Sequence, residues 1–232
     1  MNPITTVGGP ERAERAAQEL EGATAQEIIA WAAKTFGDGL CVTSSMADAL
    51  MVDLVSEQVP GIDVIFLDTG YHFAETIGTR DAVASMYDIT LVNVEPRRTV
   101  AEQDAALGPR LYGRDPGICC HLRKVEPLQR ALEPYTAWLT GLRRQDSSTR
   151  RNTPVVQWDP RKQMTKVNPL VRWTQEDVDS YMAENKILVN PLQYDGYPSI
   201  GCEPCTHRVA PGEDPRSGRW AGTGRTECGI HG

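Results

Sequence analysis

From residue 40 to residue 70 the chain reads LCVTSSMADALMVDLVSEQVPGIDVIFLDTG, and this stretch decides the fold. Leu40-Cys41-Val42 is a short apolar run that suits a buried strand, and it enters the polar turn Thr43-Ser44-Ser45. Ala49, Leu50, Val52, Leu54 and Val55 then give a helix an apolar face, and Pro60-Gly61 ends it. Val64-Ile65-Phe66-Leu67 is a second buried strand, again ending in a polar turn, Asp68-Thr69-Gly70. Strand, helix, strand at this spacing is the unit from which parallel sheets are built, since parallel neighbours need a crossover.

The pattern continues on both sides. A helix is expected from about Phe73 to Met86, a strand over Ile89–Val94, a strand over Thr136–Thr140 and a short one over Val155–Trp158. Further helices are expected over Glu11–Glu21, Thr24–Phe36, Asp115–Leu132 and Thr174–Asn185; Thr24 with Glu27 forms a capping box, and Thr174 with Asp177 is cap-like. The expectation is an α/β fold, a mostly parallel sheet flanked by helices. Ligands of such sheets bind at the carboxyl ends of the strands, where both polar turns fall. Residues 1–9 read as a disordered tail. After Asn190-Pro191 aliphatics become scarce, and residues 194–232 read as a loop-rich site followed by a flexible tail containing Gly212, Gly218, Gly222 and Gly224.

The 232 residues suit one or two domains, with enough chain to bury a core unaided by disulfides. Lys plus Arg is 24 against 31 for Asp plus Glu, a net charge of -7, which argues against a duplex nucleic-acid binder but not against a local site for a small anion. No run approaches the ~20 apolar residues of a membrane span. Met1 to Glu21 lacks the basic and apolar regions of a signal peptide, so the sequence points to the cytoplasm. Thiols stay reduced there, and six cysteines then read as metal-binding or catalytic.

Four cysteines form two tight pairs, Cys119-Cys120 and Cys202-Glu203-Pro204-Cys205. Together they supply the four thiolates of a closed metal site. Adjacent cysteines strain to grip one tetrahedral ion, whereas the separate corners of an iron–sulfur cubane accommodate them better. Zinc, with His121 or His207 as a substitute ligand, and a pair of redox dithiols stay open on residue chemistry alone. Cys228 differs: it follows the glycine-rich stretch, so it can visit a substrate and then a partner, with Arg225 and His231 favouring its thiolate and Glu227 opposing it. Cys41, inside an apolar strand, reads as a small core residue.

Ser44 and Ser45, in a strand-to-helix turn, present hydroxyls and backbone N–H groups to an anion. Arg123-Lys124, Arg143-Arg144, and Arg216 with Arg219 are positive clusters in an acidic chain, and arginine suits bidentate contact with phosphate or sulfate. Each pair alone is ordinary surface; their conjunction at one sheet edge and in the tail suggests an anionic substrate.

These pieces, in order, resemble the assimilatory sulfonucleotide reductases, in particular the adenosine 5′-phosphosulfate (APS) reductases. They are Thr43-Ser44-Ser45 with Asp48, Leu67-Asp68-Thr69-Gly70, Cys119-Cys120-His121-Leu122-Arg123-Lys124, Gly141-Leu142-Arg143-Arg144, Gly201-Cys202-Glu203-Pro204-Cys205-Thr206, Arg216-Ser217-Gly218-Arg219-Trp220 and Glu227-Cys228-Gly229-Ile230-His231. The resemblance spans about residues 25–232 and is most specific at the Cys-Cys pair and the Glu-Cys-Gly-Ile-His segment. It implies an adenine-nucleotide α-hydrolase-like (ATP-pyrophosphatase-like) fold, with an extension over residues 1–22, the α/β domain over 23–205 and a mobile catalytic tail over 206–232. It implies a 4Fe-4S cluster on Cys119, Cys120, Cys202 and Cys205. It implies reduction of APS to sulfite and AMP with thioredoxin as partner, Cys228 being the nucleophile. Lys124 would serve the sulfate and His231 the catalytic tail. Arg143, Arg144, Arg216 and Arg219 would serve phosphate or sulfate, Ser44 and Ser45 phosphate or ribose, and Leu67 and Thr69 the adenosine. Two features depart from the family pattern: Ala47 stands where an acidic residue is common, and Ala221-Gly222-Thr223-Gly224 is a short, non-aromatic tail segment. A reductase of the 3′-phosphorylated nucleotide (PAPS) and an ATP-pyrophosphatase-like RNA-modifying enzyme are the alternatives. The latter class carries a Ser-x-Gly-x-Asp-Ser loop that Thr43–Asp48 lacks. Self-association is left open.

Overall fold

The structure is a computed structural model that describes residues 9–222, 225 and 227–230. The expected disorder of residues 1–9 thus falls, Gly9 apart, outside the described residues. Among the described residues six strands form one sheet: β1 (Leu40–Thr43), β2 (Ile62–Leu67), β3 (Ile89–Val94), β4 (Ala137–Thr140), β5 (Val156–Asp159) and β6 (Met164–Val167). Their order is β3-β2-β1-β4-β6-β5, every neighbour parallel except β5, which runs antiparallel to β6. The chain steps from β1 outward to β2 and β3, then returns to the other side of β1 as β4. The crevice at the carboxyl ends of β1 and β4 is therefore the switch point at which such sheets bind ligands.

Two-residue alternation builds a core on each face. Leu40, Val42, Val64, Phe66, Ala137, Leu139 and Val167 meet the helices α1 (Pro10–Leu20), α2 (Ala25–Phe36), α3 (Leu50–Ser56), α4 (Ala74–Met86) and α9 (Gln175–Glu184). Cys41, Ile65, Val94, Trp138 and Met164 face the other way, onto Leu128 and Leu132 of α8 (Glu126–Leu132), and Ile230 of the tail packs against this second cluster. The expected capping boxes form: Thr24 with Glu27 opens α2 and Thr174 with Asp177 opens α9. Cys41 is fully buried, as an apolar strand residue should be.

Three elements differ from the sequence expectation. Helix α5 (Val100–Leu107) was not anticipated, although Thr99 and Glu102 carry a complete capping box. Strand β6 was missed because Thr165 and Lys166 interrupt its apolar pattern, yet both are buried. The single helix expected over Asp115–Leu132 is three pieces: α7 (Pro116–Cys120), a π-helical turn over His121–Val125, and α8. Pro127 has no N–H to donate back to the Arg123 carbonyl, and the wider turn absorbs that missing bond. One short helix, α6 (Leu111–Arg114), precedes the cysteine pair and leads directly into α7, which carries it.

Candidate active site

Ser44 and Ser45 follow β1, but α3 does not begin behind them. Met46 takes a left-handed φ of 57°, its N–H donating to Ser44 Oγ at 3.2 Å, and the Asp48 backbone bridges Val189 before Asp48 Oδ1 accepts the Leu50 N–H at 3.1 Å. The seryl turn is thus a separate loop at the sheet edge, not the first turn of a helix. Ser45 is exposed and Ser44 half-buried there.

The turn after β2 is held from below. Asp68 N–H donates to Val94 O at 2.9 Å, and the imidazole of His72 donates Nε2–H to the Leu67 carbonyl at 2.8 Å. Gly70 has a φ of 72°, and a side chain there would run into the Arg123 guanidinium. That guanidinium is buried. It donates to Thr69 O and, from Nη1, to Gln103 Oε1 at 3.0 Å and Arg98 O at 3.3 Å, with its plane 5.2 Å from the Tyr71 ring. Arg123 therefore fastens the β2 loop to the cysteine-bearing helix.

The second cysteine pair is carried to the same place by backbone pairing. His72 and Cys202 form an antiparallel bridge, and Glu203 N–H donates to Tyr71 O at 2.7 Å. Thr69 Oγ1 and Cys202 Sγ are 3.3 Å apart. All six cysteines are free; Cys119, Cys120 and Cys202 are buried, Cys205 and Cys228 partly so. Burial first, then the neighbouring Cys120, Cys202 and Cys205 sulfurs, push the Cys119 thiol up to about 12; burial with Cys202 and Cys120 pushes Cys205 up to about 11. The four sulfurs feel one another's charge, and an all-sulfur, largely buried donor set suits an iron–sulfur group. Among the described residues no three His, Cys, Asp or Glu side chains are drawn together as the ligands of one metal ion.

Lys124 leaves the π-turn into this cluster and is buried. Burial pulls its ammonium down and Arg219 adds to that, but the sulfurs of Cys202, Cys228 and Cys120 outweigh both, so its pKa is raised and it stays charged. Cys228 lies within electrostatic reach of Cys120, Lys124 and Arg219. His231, the other expected tail residue, lies outside the described residues.

The tail from Thr206 to Trp220 is folded rather than loose. Thr206 and Arg219 form a bridge, His207 N–H donates to Gly218 O at 2.9 Å, and Trp220 N–H donates to Cys205 O at 3.0 Å. Arg219 crosses the Trp220 ring at 4.5 Å and donates from Nη1 to Ile200 O at 3.1 Å. Arg216 reaches Glu227 Oε2 from Nη2 at 3.4 Å.

The Arg143-Arg144 pair is divided. Arg144 points away to the N-terminal helix, gripping Glu21 with Nη1 at 2.6 Å and Nη2 at 3.0 Å and donating Nε–H to Thr153 O at 2.8 Å. Arg143 holds Asp146 Oδ1 from Nε at 2.9 Å and Gln175 Oε1 from Nη2 at 3.0 Å. Arg150 reaches the tail instead, with Nε and Nη2 each 2.8 Å from a Glu227 oxygen. Lys162, which donates to Ile230 O at 3.4 Å, and the buried Lys166 also stand under the tail. None of these three was singled out from the sequence. The one available signal was density of charge: Arg150 closes a basic loop that opens with Arg143-Arg144.

A family model described as the phosphoadenosine phosphosulfate reductase domain matches residues 40–208. The chain is 60% identical over 220 residues to an adenosine 5′-phosphosulfate reductase of Streptomyces coelicolor, covering 95% of this chain and 93% of that one. It is 57% identical to the adenosine 5′-phosphosulfate reductase of Mycolicibacterium smegmatis, covering 95% and 94%. The crystal structure of a phosphoadenylyl-sulfate (PAPS) reductase from Candida auris, a phosphate complex, superposes with a TM-score of 0.75 at 30% identity over 87% of this chain and 98% of that one. An FMN adenylyltransferase from Candida glabrata shares the fold alone, with a TM-score of 0.58 at 12% identity over 83% of this chain and 63% of that one.

Proposed function

The chain belongs to the phosphoadenosine phosphosulfate reductase family, and from that premise we propose that it reduces APS to sulfite and AMP in sulfate assimilation, using thioredoxin. The observation that carries the reading is that Cys228 lies within electrostatic reach of the Lys124 ammonium and Arg219, the same two cations that sense Cys202. The thiolate is the form that attacks. The Cys228 thiolate attacks the sulfonate sulfur of APS; the S–O bond to the phosphate breaks and AMP leaves, with Cys228 holding the –SO₃⁻ group. A thioredoxin thiolate then attacks the Cys228 sulfur, sulfite departs with the bonding pair, and the mixed disulfide resolves by exchange with the second thioredoxin thiol. Both electrons come from thioredoxin.

Lys124 and Arg219 would neutralise the sulfonate, and Arg216 the phosphate, once Glu227 yields it. Ser44 and Ser45 would take phosphate or ribose, and Leu67 and Thr69 of the β2 turn the adenosine. The Cys119, Cys120, Cys202 and Cys205 thiols would hold a 4Fe-4S cluster, whose separate irons do not require four sulfurs to converge on one point. Bound there, the cluster would supply a fixed field beside the sulfonate. No helix among the described residues is long and apolar enough to cross a membrane.

The Candida auris likeness keeps PAPS in view as a second substrate. Side-by-side anaerobic assays with APS and PAPS decide it: AMP and sulfite are expected from APS at a rate at least tenfold above PAPS. Faster turnover of PAPS would reverse the assignment. Cys228→Ser should abolish sulfite release with both nucleotides, and wild-type turnover by that variant would sink the scheme.

A further inference from the structure

Cys228 is fixed on both sides. On one side Gly229, at a φ of 86°, leads to Ile230, which packs against the Trp138 and Met164 patch while Lys162 Nζ donates to its carbonyl at 3.4 Å. On the other side Glu227 lies in the fork of Arg150, Nε to Oε1 and Nη2 to Oε2, both at 2.8 Å. Arg216 adds a longer contact at 3.4 Å and Ser147 Oγ another at 3.4 Å. Arg150 is itself braced. Its Nη1 donates to Asp146 Oδ2 at 3.2 Å, while Asp146 Oδ1 is held by Arg143. A line of ion pairs, Arg143–Asp146–Arg150–Glu227, thus runs from the end of β4 to the residue before the nucleophile. Only 12% of the Arg150 side chain and 25% of the Glu227 side chain is exposed, so water screens this pair far less than a surface one.

Two facts make this more than a structural tie. The Glu227 carboxylate, next to the nucleophile and only partly open to water, has its charge answered by Arg150 at hydrogen-bond distance. A planar two-bond fork also fixes orientation, which a single charge does not. We propose that Glu227 and Arg150 are positioning residues forming a latch: closed, it sets Cys228 for attack on the sulfonate, and it must open before a reductant thiol can reach the Cys228 sulfur. The proposal rests on the two-step reaction above. It assigns the latch opposite effects on the two steps, since what orients the thiol for the first keeps it covered for the second.

The experiment uses the holoenzyme and two variants, Glu227→Gln and Arg150→Gln. The first readout needs no nucleotide: the rate at which iodoacetamide alkylates Cys228, followed by peptide mapping. Losing a latch uncovers the thiol and speeds alkylation in both variants. A charge effect alone speeds it in Glu227→Gln and slows it in Arg150→Gln, because the two substitutions remove opposite charges. The second readout separates the half-reactions. With APS and no thioredoxin, S-sulfonation of Cys228 should fall at least tenfold in each variant, the loss expected for a hydrogen-bonded charge. Sulfite release from enzyme already sulfonated should be as fast as wild type or faster when thioredoxin is added. Opposite alkylation effects in the two variants, or equal slowing of both half-reactions, would overturn the latch. If wild-type enzyme forms no adduct with APS, the reaction reading fails, and the alkylation result still judges the latch.

Discussion

At Lys166 an ammonium is buried under the ring of Trp138, 5.3 Å from its centroid, and its Nζ finds no hydrogen-bond partner among the described residues. Burial, with Lys162 and Arg150 adding to it against Asp159 and Glu227, lowers its pKa to about 8 from 10.5. The folded chain therefore binds fewer protons than the unfolded chain between those values. The burial penalty is fully present below about pH 8, and stability rises as the pH climbs from there towards 10.5. Lys166→Met should stabilise the fold at pH 7 by about 3 kcal/mol at most, from ~1.4 kcal/mol per pKa unit. Urea unfolding of the two proteins should show that gap closing at alkaline pH; a gap independent of pH would mean that the amine is not penalised. The same residue shows what a sequence conceals. Cys119-Cys120, Cys202, Cys205 and Cys228 stand out in sequence because their chemistry is rare and their spacing distinctive. Lys166, Lys162 and Arg150 belong to common residue types, and only their burial and partners make them special.

At the scale of elements, the strands were legible wherever both faces were apolar, and illegible at β6, where the polar Thr165 and Lys166 are buried. The helix over Asp115–Leu132 was legible as a helix but not as an interrupted one. Pro127 carried that information, since a proline in the interior of a helix removes a backbone hydrogen bond. The anion site expected at a helix start behind Ser45 became a loop, because the Met46 turn and the Asp48 bridge delay α3 to Leu50. Trp138 of β4 is the largest member of the cluster that α8 joins and against which Ile230 packs. Trp138→Ala should cost about 3–5 kcal/mol of stability, the range for a large aromatic removed from a core. It should also speed proteolysis near Ile230, and digestion unchanged there would show that the tail is held without it. The tie between α1 and the sheet is weaker. Glu21 is kept below the ordinary carboxylate range by the Arg144 hydrogen bonds, which outweigh its partial burial. Its contribution is present above the unfolded carboxyl pKa and is lost as the pH falls through the folded one. For so exposed a pair it is at most about 1 kcal/mol. Glu21→Gln should therefore melt slightly below wild type at pH 7 and coincide with it in acid. A difference that survives in acid would assign the loss to packing.

At the scale of the whole molecule, a chain of net charge -7 holds Lys124 and Arg219 within electrostatic reach of Cys228, and Arg150 and Arg216 on the neighbouring Glu227. An anionic nucleotide approaches an acidic protein by way of that local field, which salt shortens from ~30 Å at 0.01 M to ~8 Å at 0.15 M. The KM for APS should rise several-fold over that range while kcat changes little; a KM indifferent to salt would argue that apolar contacts dominate binding. The central claim is that Cys228 carries the sulfonate between two partners. Its most direct test is intact mass spectrometry of reduced, cluster-loaded protein exposed to APS without thioredoxin. The account predicts a gain of one SO₃ group, mapped to Cys228 and discharged as sulfite when thioredoxin is added. An unmodified mass in protein shown to hold its iron and sulfide, or an adduct on any other residue, would contradict it.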